Sequence, residues 1–138
     1  MSWLELGKDL YNCIKCLRRN KYFGINPAFS DIPCALKIPR STKFRHKGIG
    51  VIIAKATKLG NNIQIYQHVT IGGKSQGETK KPGGPVIGNG VIIYSYACVL
   101  GGITIGDNCI IGAYSLVLDD IPPNSKVYGI PASVKGSV

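Results

Sequence analysis

Acidic side chains are scarce: seven Asp and Glu stand against 17 Lys and Arg, a formal net charge of +10. Such a surplus favours a polyanionic partner, whether nucleic acid, an anionic membrane or a phosphorylated ligand, or it clothes a solvated basic surface. The aromatic-plus-glycine strings of RNA-binding modules are missing, and no helix carries an extended basic face, so nucleic acid drops down the list. No stretch approaches the roughly 18 to 20 apolar residues of a membrane span. Glu5, Lys8 and Asp9 interrupt any leader-like run at the N-terminus, so a cytoplasmic chain is expected. Histidine is nearly absent, with only His46 and His68. Of the five cysteines, Cys13 and Cys16 form a Cys-x-x-Cys pair, but no second pair or nearby histidine completes a zinc site. Free thiols and no metal are the expectation.

What the sequence does contain is a repeat of six. An aliphatic residue returns at Ile53, Leu59, Ile65 and Ile71, and again at Ile87, Ile93, Val99, Ile105, Ile111 and Val117. Four places after each anchor stands a small or β-branched residue: Thr57, Ile63, Val69, Val91, Ala97, Ile103, Cys109, Ser115 and Ile121. In Leu59-Gly60-Asn61-Asn62, Ile87-Gly88-Asn89-Gly90 and Ile105-Gly106-Asp107-Asn108, the fourth place holds Asn or Gly, the residues that best tolerate a left-handed corner. A period of six is neither helical nor a strand alternation. It predicts short strands joined by sharp corners, three to a coil, with anchor and small residue both facing inward.

Weaker units anchor on Ile32, Ile38 and Phe44. Between Phe44 and Ile53 the spacing is nine, so three extra residues bulge from the coil in the segment that holds His46. No anchor falls between Gly73 and Pro85, which predicts a loop over 73–86, and loops on a rigid scaffold tend to carry function. The first residues differ: Ser2 and Glu5 form a capping box, and Trp3, Leu6, Leu10, Cys13, Ile14 and Leu17 follow helical spacing. The division expected is a helix and linker over 1–30 and a coiled domain over 31–138.

Gly50-Val51-Ile52-Ile53, then Gln67-His68-Val69-Thr70-Ile71-Gly72-Gly73, then Ile121-Pro122-Pro123-Asn124 and Val127-Tyr128-Gly129-Ile130-Pro131-Ala132 together carry a resemblance. From about Asp31 to Val134 the chain resembles the hexapeptide-repeat acyltransferases, on the serine acetyltransferase and capsular polysaccharide acetyltransferase branch. The resemblance implies an all-β fold, a left-handed parallel β-helix with one extruded loop, and homotrimers with the site between neighbouring subunits. It also implies acetyl transfer from acetyl-coenzyme A to a hydroxyl, which needs a base to take the hydroxyl proton and a partner to orient that base. His46 matches the family's catalytic histidine, and Asp31, fifteen residues earlier in Asp31-Ile32-Pro33, matches its orienting aspartate. His68, one coil further on the same face, is the rival: it could bind substrate, share the base role, or simply stand in a surface ladder.

The acceptor is less constrained. The serine enzymes resembled have Asp-His-Ala-Thr-Gly where Arg45-His46-Lys47-Gly48-Ile49-Gly50 stands, and an Arg-His pair where Gly83-Gly84 stands. A sugar or surface-polysaccharide hydroxyl is therefore the first expectation and serine the alternative, with Arg45 the substitute for the missing cationic clamp. For the coenzyme, the resemblance points to Gly73, Lys74, Ser95, Ala113 and Lys135, although Tyr94, Tyr96 and Tyr114 replace small residues there. Two rival classes share the fold, a γ-type carbonic anhydrase, which needs three histidines for zinc, and a non-catalytic scaffold.

Overall fold

The computed structural model of the chain describes residues 15, 16, 18, 20–75 and 81–138. The capping box and the apolar helical face expected near the N-terminus lie outside these residues, as does Lys80. The described end of the helix closes on Gly24, at φ 64°. There the Gly24 N–H reaches the Lys21 carbonyl and the Ile25 N–H the Asn20 carbonyl, the paired bonds of a Schellman C-cap. No helix among the described residues is long and apolar enough to cross a membrane.

Beyond it the six-residue period becomes three parallel sheets. The first contains β1 (Lys43–Phe44), β4 (Gln64–Ile65), β7 (Ile92–Ile93) and β10 (Ile110–Ile111), and is extended by β12 (Ser125–Gly129) and its antiparallel partner β13 (Ala132–Ser137). The second stacks β2 (Ile52–Ile53), β5 (Thr70–Gly72), β8 (Cys98–Leu100) and β11 (Leu116–Val117). The third stacks β3 (Lys58–Leu59), β6 (Val86–Ile87) and β9 (Thr104–Ile105). Register follows the hexads: Ile65 pairs with Ile93 and Ile93 with Ile111, while Ile53 pairs with Ile71 and Ile71 with Val99.

Anchors and small residues face the same interior, as the period requires. Ile53, Ile65, Ile71, Ile93, Ile105 and Ile111 are at most 1% exposed, and so are Val69, Val91, Ala97 and Cys109 between them. At the fourth place of three hexads Asn62, Gly90 and Asn108 take φ of 58°, 67° and 56°, the left-handed corners expected of them. Gly88 shows why the second place is small: a Cβ there would sit 2.8 Å from the Gly106 carbonyl carbon in the coil below. Burial also pushes the Cys109 thiol up from its usual range, so it stays protonated and donates to the Pro122 carbonyl at 3.1 Å.

The cysteines correct one expectation. Cys16 is disulfide-bonded to Cys34, 18 residues on, instead of being free. Sequence spacing hid this partner because the segment after the helix returns over the first coil, where Ile25 and Phe23 join the core and Phe23 meets the Phe44 ring edge-on at 5.7 Å. Cys98 and Cys109 are free, and Cys13 lies outside the described residues.

Because each inward aliphatic supports the coils above and below, truncating one in the middle should be costly. Ile93→Ala is expected to lower unfolding free energy by about 2–5 kcal/mol, measured by urea titration. A loss below about 0.5 kcal/mol, the range of surface substitutions, would contradict a continuous packed column.

Candidate active site

The nine-residue spacing between Phe44 and Ile53 is a tight turn thrown out of the coil. Phe44 pairs with Ile65, and the Ile49 carbonyl accepts from the His68 N–H, so Arg45–Gly48 stands where the next coil has Tyr66 alone. His46 and Lys47 take φ of 49° and 58°, a region where a non-glycine side chain costs roughly 1–3 kcal/mol and which clusters at functional sites. Gly48 is buried against Ile25 and Phe44, and the Asn26 N–H donates to the Lys47 carbonyl at 3.1 Å. The segment leading out of the helix thus holds the turn down, leaving His46 exposed at its apex.

Asp31 lies beside this turn in the preceding coil. Its backbone bridges to Ile52, with its N–H donating to the Val51 carbonyl and its own carbonyl accepting from Ile53. A cavity of about 310 Å³ is lined by Ala28, Phe29, Ser30, Asp31, Gly50 and Ile52. The Asp31 carboxylate and the His46 ring are not hydrogen-bonded, and the only ion pair among the described residues lies elsewhere. Neither side chain forms an ion pair with another of the described residues. A larger cavity, about 460 Å³, opens at the β3 edge and is lined in part by Lys37, Lys55 and Lys58. It holds none of the expected catalytic residues.

His68 occupies the fourth place of the hexad that Ile65 opens and takes the corner conformation, φ 57°. Tyr96 and Tyr114, the fourth places of the hexads opened by Ile93 and Ile111, do the same at 62° and 57°. Their rings form one column: His68 stacks on Tyr96 at 4.6 Å and 15°, and Tyr96 on Tyr114 at 4.9 Å and 1°. Above them Gly50 holds the same corner at φ 67°, and a Cβ there would fall on His68 Nδ1. A second pair, Tyr66 and Tyr94, stands beside this column at 4.8 Å. The His46 ring lies 6.2 Å from Tyr66, and the Arg45 guanidinium lies 5.8 Å from the same ring. The sequence reading set His68 one coil beyond His46 but did not read this aromatic column. Its signal was present, since all three rings occupy the fourth place of their hexads.

The coenzyme candidates divide. Ser95 and Ala113 stand one place before Tyr96 and Tyr114, whose rings are 44% and 63% exposed and would wall any ligand lying along these coils. Gly73 and Lys74 open the extruded loop, which closes on itself through paired backbone bonds between Lys74 and Gly83. The loop is also tied to the last coil by a Lys81–Asp120 ion pair. Lys135 is exposed near the C-terminus, with Nζ 5.7 Å from the Tyr128 ring.

With this geometry in place, the comparisons are specific. Residues 84–119 match the family model described as bacterial transferase hexapeptide (six repeats). The serine acetyltransferase of Staphylococcus aureus strain Mu50 is 43% identical over 135 residues, which are 96% of this chain and 62% of that protein. That of Bacillus licheniformis is 43% identical over 104 residues, 75% and 47% of the two chains. Among solved structures, Neisseria gonorrhoeae serine acetyltransferase in complex with serine superposes with a TM-score of 0.72 at 34% identity, covering 97% of this chain and 51% of that one. Brucella abortus serine acetyltransferase in complex with coenzyme A gives 0.72 at 31%, covering 79% and 42%. The chain spans from 41% to 62% of the length of these curated relatives.

The chain carries the hexapeptide repeat of the acyltransferases it resembles, and its coil is a left-handed parallel β-helix. The resemblance is to the serine acetyltransferase branch. The relatives named are serine acetyltransferases, which weighs for the serine alternative over the carbohydrate acceptor that the sequence put first.

Two expected outcomes follow from the site's packing. Gly50→Ala should displace the His68 ring and strain the corner, lowering stability by about 1–3 kcal/mol; a crystal structure of the variant with His68 still stacked on Tyr96 would contradict the packing. The hydrogen bond from Lys81 also holds the Asp120 carboxyl below its ordinary value. Its contribution to loop docking is therefore present above the unfolded carboxyl pKa, about 3.9, and is lost as pH falls through the lower folded value. Amide exchange around Lys81–Gly83 should stay slow relative to Asp120→Asn down to the ordinary carboxylate range and converge with it in stronger acid. Equal exchange in the two proteins at neutral pH would contradict the tether.

Proposed function

We propose that this chain transfers an acetyl group from acetyl-coenzyme A to the hydroxyl of serine, with His46 as general base and Asp31 as its orienting carboxylate. The observation that carries the proposal is the bulge: it presents an exposed histidine at a strained apex beside the coil that bears Asp31. The serine oxygen attacks the thioester carbonyl as His46 takes its proton. The tetrahedral intermediate then collapses, the carbon–sulfur bond breaks, and the imidazolium returns the proton to the leaving thiolate. Asp31 fixes the ring tautomer and stabilises the imidazolium, drawing close in the substrate complex, where catalytic hydrogen bonds tighten.

Arg45, whose guanidinium has no ion-pair partner among the described residues, meets the serine carboxylate, and His68 lines the acceptor side. Coenzyme A lies along the coils past Gly73, Lys74, Ser95 and Ala113 toward Lys135, its phosphates matched by the basic surplus. The working unit is a cytoplasmic homotrimer, the assembly that the family resemblance implies. One observation favours a second acceptor: Gly83-Gly84 leaves no second cation for a carboxylate, which a sugar hydroxyl would not need.

His46→Ala should cut serine-dependent turnover by roughly 100- to 10,000-fold, the usual worth of general-base catalysis, with coenzyme binding nearly unchanged. Asp31→Asn should lose much of the same gain, and His68→Ala should raise the KM for the acceptor. Full activity in His46→Ala with none in His68→Ala would reverse the two roles. Coenzyme affinity should also fall with salt, because exposed cations are screened over about 10 Å at 0.1 M; an affinity unchanged by salt removes the lysines from that role.

A further inference from the structure

The disulfide between Cys16 and Cys34 closes a ring of chain, and that ring contains nearly everything that holds the His46 turn in place. Within it, Ile25 packs under Gly48, and the Asn26 N–H donates to the Lys47 carbonyl at 3.1 Å. The Phe29 carbonyl accepts from the Gly50 N–H at 2.5 Å, one place from the end of the bulge. Asp31 lies in the same ring, three residues before Cys34. Ala28, Phe29 and Ser30, also in the ring, line the cavity beside Asp31 and Gly50.

Apart from the buried Ile25 and Ile32, the described backbone anchors of this segment are short. It has one short turn, Pro27–Phe29, capped by the Asn26 side chain on the Ala28 N–H at 3.0 Å, and no buried residue lies in that turn. Asp31 joins the coil by a single-residue bridge, not by a strand. A segment so lightly paired depends on closure of its ends, because a covalent tie removes open conformations that its few contacts alone do not exclude.

We propose that Cys16 and Cys34 are positioning residues for the acetyl-transfer site, and that their disulfide makes the activity responsive to thiol reductants. The inference rests on the reading of His46 and Asp31 as the catalytic pair. In the reducing step a dithiol donates two electrons and two protons. The Cys16–Cys34 bond breaks to two thiols, and the dithiol closes to its own cyclic disulfide. The helix end then keeps only its Phe23 and Ile25 packing on the first coil, the 25–31 segment loosens, and His46 and Asp31 lose their fixed relation. Misplacement of a catalytic group by about 1 Å can cost on the order of a hundredfold.

The test uses the full chain in three forms: oxidised, reduced with dithiothreitol then alkylated and desalted, and Cys34→Ser. Peptide mass spectrometry should recover a 16–34 linked pair from the oxidised form alone. Acetyl transfer, followed by loss of thioester absorbance, should be about ten- to a hundredfold slower in both opened forms. Cys98→Ser should keep the full response. Amide exchange over 25–31 and 45–50 should quicken in the opened forms while the coils from Ile63 to Val117 stay protected, a readout that needs no activity. Transfer absent in every form, with the exchange difference intact, would remove the catalytic reading and leave the tether standing. Equal exchange and equal activity in all forms, or no linked peptide, would overturn the proposal.

Discussion

Strands of two residues cannot persist alone, and everything in this fold follows from how they are held. Each pairs in parallel with the equivalent residues of the coils above and below, so Ile65, Ile93 and Ile111 share one ladder and Ile53, Ile71 and Val99 another. The pairing is affordable only because the inward side chains stack in the same register and exclude water along the prism. A single residue gained or lost within a hexad would turn an anchor outward. The last coil drops two residues and keeps Ile121 in register with Ile105 and Val127 with Ile111, and insertions among the described residues fall where the chain leaves the coil and re-enters in register, at Arg45–Gly48 and in the loop after Gly73.

Those two departures, together with the corners, are where chemistry can be displayed. A corner puts its side chain in the left-handed region, and repetition of the coil puts successive corners one above another. Where the corner residue is Asn or Gly a polar ladder runs in the place just before it, with Asn89 Oδ1 accepting from the Asn61 N–H and Asp107 Oδ1 from the Asn89 N–H. Where it is aromatic the result is a column of rings, which fixes His68 against Tyr96 and leaves Tyr114 facing solvent. The same geometry that makes the core monotonous makes the surface a set of vertical tracks, and a long ligand such as coenzyme A suits a track better than a pit.

The period carried most of this information. Anchors, small inward residues, the Asn and Gly corners, the bulge and the extruded loop were all legible because each is a property of spacing. What spacing could not carry was contact between segments out of period. The Cys16–Cys34 bond joins a helix to a coil, and nothing in Cys-x-x-Cys spacing points to a partner 18 residues away. The Lys81–Asp120 tether crosses from the loop to the last coil for the same reason. The aromatic column lay between these cases: its positions were periodic, but Tyr96 and Tyr114 are not residues that a left-handed corner ordinarily accepts. The acceptor was least legible, because a missing cation at Gly83-Gly84 argued for a sugar while the residues around it argued for the serine enzymes.

The most direct measurement is therefore a competition between acceptors. The chain is incubated with acetyl-coenzyme A and equal concentrations of serine and of simple hexoses and hexosamines, and the acetylated products are identified by mass spectrometry. O-acetylserine as the dominant product, formed in step with free coenzyme A, is the result the account predicts. Acetylated sugar with no acetylserine, or no coenzyme A released with any acceptor, would contradict it.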